Sequence, residues 1–499
     1  MSDHPDRVSS LTEEQYHQLA DRLVQQGGRR RGRHIPLRKD SRTSLPAAFA
    51  QERMWFYHQL DPTGAAFNIP MAVRFRGNLN VIALEQCIRE VVRRHEILRT
   101  SFQPIDGRLY QVIGLKPTLL YSIVDMEHLD RAGLELEVRR LAESESSRPF
   151  DLTGYPLLRT LVIRLSSKEH VVIVTMPHII SDGWSVRVLI AEVGTLYEAY
   201  RCGNPLQLPE LPLQYADFSE WQREYLSAEQ LDELVSYWKR QLRCKDTALN
   251  LPTDRPRQLM KHFQGGCREF SLPADLFDLL IAVGRRERAT LFMTLLAGFQ
   301  VLLHRYTGDA EIPVGTIVAN RNQREIEGLI GFFVNNLVIH TDLSGNPTFR
   351  ELLRQVRRVT LEAYDHQDLP FEMLVEILQP VRDNNCSPLF QVMFVLQNVP
   401  LPPLAMTDLA VDGFEIVSSI VHFDLSLIMQ ETPLGLTGWL NYRKELFNDL
   451  TISEMTHNFS ALLRELGTFP DKHLKDISIG DKDNVNGLID RFNDDLSVE

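Results

Sequence analysis

The chain has 499 residues, more than a single ordinary hydrophobic core organises, so two or more lobes are expected. Hydrophobic residues make up 43% and charged residues 24%, the balance of a globular protein in water. A formal net charge of −12 excludes a general nucleic-acid binder, which needs a basic surface. Five dispersed cysteines, Cys87, Cys202, Cys244, Cys267 and Cys386, form no C-x-x-C pair and do not suit a disulfide framework. Reduced thiols in a cytoplasmic protein are the expectation. No apolar h-region follows Met1, so no secretory signal is expected.

Residues 1–40 are polar and basic. SLTEEQYHQLADRLVQQ has the spacing of a short amphipathic helix, and GGRRRGR follows it. The segment reads as a solvated leader; the functional alternative is a docking arm for an acidic partner. Folded sequence is expected from about Leu45. Asn80 is placed to cap a helix over NVIALEQCIREVVRRHE, whose Leu84, Ile88, Val91 and Val92 share a face. LRTSF and LYQVI flank Asp106-Gly107, a hairpin signal. PLLRTLVIRL and HVVIVTM read as an antiparallel strand pair, and VRVLIAEVGTLYEAY as a helix.

The Pro/Leu-rich NPLQLPELPLQ predicts a lobe boundary near residue 205, giving lobes over 41–205 and 206–499. LFMTLLAGFQVLLHRY, interrupted by Gly298 and Gln300, falls short of the ~18 apolar residues of a membrane span and predicts a buried helix. Thr348 with Glu351, and Thr451 with Glu454, have capping-box spacing. FDLSLIMQETPLGLTGWLNY reads as strand, turn, strand. Helices interleaved with hairpins favour an α+β fold over a doubly wound one. The tail after about Lys475 is acidic.

The chemistry-bearing stretch is TMPHIISDGWS, Thr175–Ser185. An imidazole at a strand end can take or give a proton near neutral pH. Ser181 or Asp182 is placed to cap the next helix. Asp182 can orient His178 or hold the loop through an arginine. Gly183 permits a close approach or a conformation that a Cβ forbids. Pro177 has no N–H and suits a strand terminus. Alone, the pattern favours a satisfied loop histidine over a catalyst.

Companion stretches give it context. FAQERMWFYHQL (49–60), RRHEILRTSF (93–102), YADFSEW (215–221), IGFFVNN (330–336), HQDLPFE (366–372) and SPLFQVMF (387–394) occur with MPHIISDGWS in the order of the motifs of nonribosomal peptide synthetase condensation domains. The chain resembles that family along nearly its whole length. The resemblance implies two chloramphenicol-acetyltransferase-like lobes in a V, with a central tunnel. It implies acyl transfer from a carrier-protein thioester to an amine or hydroxyl, and thus an amide or ester product. No cofactor is bound directly; the phosphopantetheine arm comes from the carriers. The partners implied are a donor acyl or peptidyl carrier protein and a second carrier or soluble acceptor, with no nucleic acid and no membrane.

His178 takes the position of the family's catalytic histidine. Asp182 takes a structural position, expected to pair with Arg99. Gly183 is expected to offer its N–H to the oxyanion or leave room for the thioester, Trp184 and Ser185 to support the loop, and Asn335 to line the tunnel or cap a strand. His95, His366, Gln367 and Asp368 are expected to be architectural, and no metal site is expected. Pro177 replaces the first histidine of the family motif, which puts loop support in question rather than the catalytic group. With Met1 at the start and no adenylation-type or carrier-type sequence, the domain reads as free-standing or N-terminal. FNIP (67–70) leans toward L-configured or acyl donors. Two rivals remain: a silent module that recruits carriers or tailoring enzymes, and a coenzyme-A-dependent acyltransferase.

Overall fold

The computed structural model describes residues 34–38, 42–128, 130–205, 207–226, 228–242, 249–257, 264–380, 388–397, 406–414 and 421–478. The expected leader helix, the GGRRRGR cluster and the residues beyond 478 lie outside them.

Fourteen strands among the described residues form three sheets: β1 (Ser44–Pro46), β2 (Asn68–Gly77), β3 (Thr100–Ile105), β4 (Arg108–Ile113), β5 (Leu120–Asp125), β6 (Arg159–Ser166), β7 (Glu169–Pro177), β8 (Gly265–Pro273), β9 (Glu311–Val318), β10 (Asn335–Asp342), β11 (Val392–Gln397), β12 (Leu409–Phe414), β13 (Leu425–Thr432) and β14 (Gly435–Arg443). The orders are β1-β4-β3, β12-β2-β7-β6-β5 and β10-β9-β11-β13-β14-β8. Helices pack on mixed sheets, so the fold is α+β, as the interleaved pattern predicts.

The element carrying the site is β7. It is a central strand, antiparallel to β2 and β6. Successive side chains point to opposite faces. Val171 and Ile173 pack with Val138 and Ala142 of the helix Arg131–Ser146. Val172, Val174 and Met176 enter the larger core with Leu84, Ile88 and Val91 of the helix Val81–Arg94, and Leu189 and Ile190 of the helix Gly183–Arg201. Burial on both faces explains a near-continuous apolar run where a one-sided strand would alternate.

The local signals hold in most places. Asn80 Oδ1 accepts from the N–H groups of Ile82 and Ala83. Asp106 (φ 49°) and Gly107 (φ 77°) both take the left-handed conformation that a two-residue I′ hairpin turn requires. The helix Leu291–Thr307 is buried on almost every side. Thr348 and Glu351 form their capping box. The Thr451–Glu454 box is not what opens the last helix. That helix starts earlier, at Asp449, with Asn448 as the preceding residue. Asp254, from a remote loop, accepts from Asn448 N–H (2.6 Å) and Thr451 Oγ1 (2.8 Å).

The boundary at 205/206 also needs correction. Two large cores exist, but the chain passes between them more than once. Leu213, Tyr215 and Phe218 belong to the N-terminal core, as do Ile326, Leu329, Ile330, Phe332, Phe333 and Met406. The C-terminal core starts at Leu226. β12, late in sequence, completes the N-terminal sheet by pairing antiparallel to β2. The Pro/Leu-rich segment is therefore a loop on the first lobe, not the division between lobes.

Candidate active site

β7 ends at Pro177. His178 N–H donates to Phe67 O (2.8 Å), so 178 and 67 are a hydrogen-bonded pair and the neighbouring Pro177–Asn68 pair is not. An N–H at position 177 would point toward β6, whose ladder with β7 begins only at Arg159–Thr175. The missing donor thus costs no ladder bond, and proline fits. Pro177 is buried at the end of β7, so Pro177→His must fit a larger polar ring there and is expected to cost about 1–3 kcal/mol, read as a lowered denaturant midpoint. A large gain in acyl transfer with that variant would show that the first motif position contributes to chemistry.

After β7 a single 3-10 turn, His178–Ile180, carries the imidazole. Its Nδ1 lies 3.0 Å from Ser181 O. A carbonyl only accepts, so Nδ1 carries the proton and Nε2 keeps its lone pair. The ring packs against Phe332 (centroids 5.1 Å) and is half-buried. Burial lowers its pKa below the usual 6.5, outweighing the upward pull of Asp182, and Arg53 adds to the lowering. The imidazole is therefore neutral at physiological pH. It borders a cleft with about 480 Å³ of open space, walled by Tyr57, His58, Phe67, Phe150 and Pro177 among others.

Asp182 caps the helix Gly183–Arg201 and does not reach for His178. Its Oδ1 accepts from Ser185 N–H (2.8 Å) and lies 2.7 Å from Ser185 Oγ. Its Oδ2 accepts from Phe333 N–H (3.0 Å). The expected Asp182–Arg99 pair is not formed. Arg321 takes the arginine's place, with Nη2 3.2 Å from Asp182 Oδ1 and 3.0 Å from Ser185 Oγ. Arg99 instead donates to Gly114 O (2.6 Å) and lies 3.6 Å from Glu96. The physical reason is position: Arg99 closes a 3-10 turn beside β3 and β4, while Arg321 lies in the loop that the C-terminal half sends into the N-terminal core.

That loop is tied at many points. Arg321 Nη1 donates to Ile326 O and Leu329 O, both at 2.7 Å. Ser185 Oγ lies 2.8 Å from Gly331 O and accepts from Gly331 N–H (3.0 Å). Trp184 Nε1 donates to Glu327 O (2.8 Å). His95 accepts from Ile330 N–H at Nδ1 (3.3 Å), so its Nε2 carries the proton toward Glu192 (2.9 Å). A Cβ at Gly331 would fall 2.0 Å from the Tyr215 ring, whose hydroxyl donates to Phe332 O (2.7 Å). Trp184, Ser185 and His95 thus each bond to the loop around Glu327–Gly331.

Asn335 borders a small cavity with Phe332, Phe333 and Asp368, and its polar atoms are all engaged within the protein. Its amide donates to Gln367 O and Leu369 O, both at 2.8 Å, and its Oδ1 accepts from Asn336 and Phe371 N–H, both at 3.0 Å. It clamps the HQDLPFE segment. In that segment His366 stacks on Tyr237 (3.9 Å, 10°) and Asp368 Oδ2 accepts from the Tyr225 hydroxyl (3.2 Å).

Gly183 is exposed, without a positive φ, and apart from its chain neighbours and its own helix backbone nothing lies within 4 Å of where its Cβ would stand. Neither backbone strain nor protein packing accounts for glycine here. What it leaves is free space at the first turn of a helix, where the N1 N–H has no intrahelical acceptor. Among the described residues no group of three or more His, Cys, Asp or Glu could hold a metal ion, and no helix is long and apolar enough to cross a membrane.

Sequence reasoning missed Arg321, Arg53 and His422. Arg321 sits in VANRNQRE without a spacing signal. Arg53 pairs with Glu372 (2.8 Å), joining the helix Phe49–Leu60 to the helix Phe371–Leu378.

Residues 41–488 match the family model described as the condensation domain. The chain belongs to the condensation-domain family. This condensation domain is 45% identical over 442 residues to one of the component proteins of linear gramicidin synthase from Brevibacillus parabrevis, an alignment covering 88% of the chain and 9% of that protein. It is 34% identical over 496 residues to phosphinothricin tripeptide synthetase PhsC of Streptomyces viridochromogenes, covering 98% of the chain and 45% of the relative. The condensation domain therefore spans less than half the length of either synthetase. Among solved structures, the X-domain from teicoplanin biosynthesis superposes with a TM-score of 0.80 at 26% identity, covering 90% of this chain and all of that one. The first condensation domain of the calcium-dependent antibiotic synthetase gives 0.73 at 18% identity over 88% of this chain and all of that one, a likeness of fold alone.

Proposed function

We propose that this domain transfers an acyl group from a thioester on a carrier protein's phosphopantetheine arm to an amine or hydroxyl acceptor, in nonribosomal peptide or hybrid polyketide biosynthesis. The observation that carries the reading is His178: a neutral imidazole with Nδ1 committed to Ser181 O and Nε2 left for substrate, on the wall of an open cleft. The nucleophile forms a bond to the thioester carbonyl carbon as the C–S bond breaks. His178 Nε2 takes the proton that the nucleophile loses, and that proton passes to the departing sulfur. The Gly183 N–H, at the positive end of the helix Gly183–Arg201, receives charge developing on the carbonyl oxygen. Holding two tethered reactants in line supplies a further share of the rate.

The test is an intact-mass assay with a donor acyl group loaded on its carrier and amine or alcohol acceptors added. Product from acyl-carrier but not acyl-CoA supports the reading over a CoA-dependent transferase. The recruiting reading draws support from the likeness to an X-domain in complex with OxyB, at 27% identity and TM-score 0.80. Carrier binding without any turnover would favour it.

Two further outcomes follow from the geometry. The active form of His178 is neutral, and its pKa is lowered. Activity is therefore lost only as pH falls through a midpoint below 6.5. Arg53, Asp182 and His422 are the charged or titratable groups whose fields link to it. A kcat/KM profile with its acidic midpoint above 7 would contradict this. Gly183→Ala meets nothing beyond its chain neighbours and its own helix backbone, so its stability stays within about 0.5–1 kcal/mol of the parent, while a methyl in the substrate's space lowers kcat/KM by about tenfold or more. Unchanged kcat/KM would remove Gly183 from the reaction site.

A further inference from the structure

In a chain of net charge −12, one face of the C-terminal half is strongly basic. The helix Phe349–Asp365 buries Leu352, Leu353, Val356 and Val359 and carries Arg350, Arg354, Arg357 and Arg358 on its other side, at the i, i+4, i+7 and i+8 spacing of one stripe. Beside it, the helix Ala274–Arg286 ends in Arg285 and Arg286, and Arg288 follows. Glu287 joins the two: Arg350 pairs with its Oε1, and Arg354 Nε donates to its Oε2 (2.6 Å). Arg357 Nε donates to Arg288 O (2.8 Å). Arg285, Arg286, Arg288 and Arg357 make no ion pair with any described residue, and the first three are exposed. The dipole of the helix Ala274–Arg286 favours arginine at its end, but so many like charges at close range repel one another unless anions join them.

The last described stretch of the chain is fixed at this face. Asp471 accepts from Arg350 Nε (2.7 Å) and Nη2 (3.1 Å), and with Arg354 and Arg286 adding their fields its carboxyl is held below the usual range. His473 bridges to Thr348, the residue that caps the arginine-bearing helix, and Leu474 N–H donates to Pro347 O (2.9 Å). Arg305 Nη2 donates to Ile477 O (2.9 Å). The chain thus leaves Ser478 beside the start of the stripe. The 21 residues that follow, 479–499, hold Asp481, Asp483, Asp490, Asp494, Asp495 and Glu499 against Lys482 and Arg491. At up to ~3.3 Å per residue they reach well beyond the ~25 Å length of the 17-residue helix.

We propose that residues 479–499 lie along this arginine face, continuing with their carboxylates the contact that Asp471 begins. The occupant is the chain's own acidic segment because it is tethered at the face, opposite to it in charge and long enough to cover it. The tether holds the segment at high local concentration, so weak exposed ion pairs suffice, and salt rather than dilution releases it. While seated, the segment closes the face to other acidic partners.

The test is arginine labelling of the full chain with phenylglyoxal, a neutral reagent, read by peptide mass spectrometry. Neither this readout nor the next involves acyl transfer. At low ionic strength Arg285, Arg286 and Arg288 are expected to label about three- to tenfold more slowly in the parent than in a variant carrying Asp490→Asn, Asp494→Asn and Asp495→Asn. Raising the salt to about 0.5 M should bring the parent to the variant's rate, as screening removes the pairs. Arg108, exposed on β4 of the first half, should label alike throughout. In the reciprocal variant, Arg285→Gln with Arg286→Gln and Arg288→Gln, trypsin should cut after Arg491 severalfold faster than in the parent. The proposal is overturned if the three arginines label equally in the parent and the Asp→Asn variant, or if cleavage after Arg491 is unchanged in the reciprocal variant. Protection lost on dilution of the protein would overturn it as well, by seating a second copy on the face in place of the chain's own segment.

Discussion

His178→Ala is expected to lower acyl transfer about 10²–10⁴-fold, the contribution typical of a positioned acid or base, with little change in folding. The side chain is half-buried at a cleft wall, not enclosed in the core. Its losses in the folded state are one ring contact to Phe332 and one bond to Ser181 O. Those amount to about 1–2 kcal/mol, within the ordinary range for one substitution. Rate and stability thus separate: intact-mass kinetics should collapse while the denaturant midpoint moves little. His178→Gln serves as the control, keeping hydrogen bonding without a proton acceptor of suitable basicity. Product formed by His178→Ala at the wild-type rate would exclude this residue from the reaction.

Arg321→Met is expected to be the most destabilising change near the site. Asp182 is completely buried and Arg321 is 8% exposed. Removing the guanidinium leaves the Asp182 charge without its cation and two carbonyls, of Ile326 and Leu329, without their donor. Breaking one side of a buried pair costs about 3–5 kcal/mol. The guanidinium also lies 4.0 Å from the centre of the Phe333 ring, so its replacement disturbs packing as well as charge. Arg99→Met, which breaks a part-buried bond to Gly114 O, should cost about 1 kcal/mol. The double variant Asp182→Asn with Arg321→Met should cost less than the sum of the two, since the groups are coupled. Urea denaturation of these variants beside the parent decides this. Equal losses from Arg99→Met and Arg321→Met would refute the assignment.

These two residues also mark what the sequence discloses. His178 is legible because a strand run, a proline and a cap residue bracket it within eight positions, and because six companion stretches share the family's order. Asp182 is legible as a cap for the same local reason. Its partner is not, because Arg321 lies 139 residues away and is brought near only when the loop 321–333 enters the first core. The Asn80 cap, the Asp106-Gly107 turn and the β13–β14 hairpin depend on neighbours along the chain, and periodicity discloses those. The true cap arrangement of the last helix, with Asp254 reaching across from almost 200 positions away, depends on tertiary contact. Asn335 shows the limit differently. An asparagine at a strand start suits both a substrate wall and a clamp, and its clamp role shows only in four hydrogen bonds to residues that folding brings to it.

Strand β12 has a consequence for recombining such domains. It crosses from the second half to pair with β2, register Leu409–Gly77 through Phe414–Ala72. Asp412 pairs with Arg76, and Phe414 lies under the Arg74 guanidinium (5.5 Å). A chimera that exchanges everything after residue 205 therefore also exchanges one strand of the first half's sheet. Its graft must match Arg74 and Arg76 of the host, or β2 is left as an open edge able to pair with another molecule. Splice points that keep 409–414 with 68–77 from one parent are the ones expected to yield soluble hybrids, whichever substrate preferences are being combined.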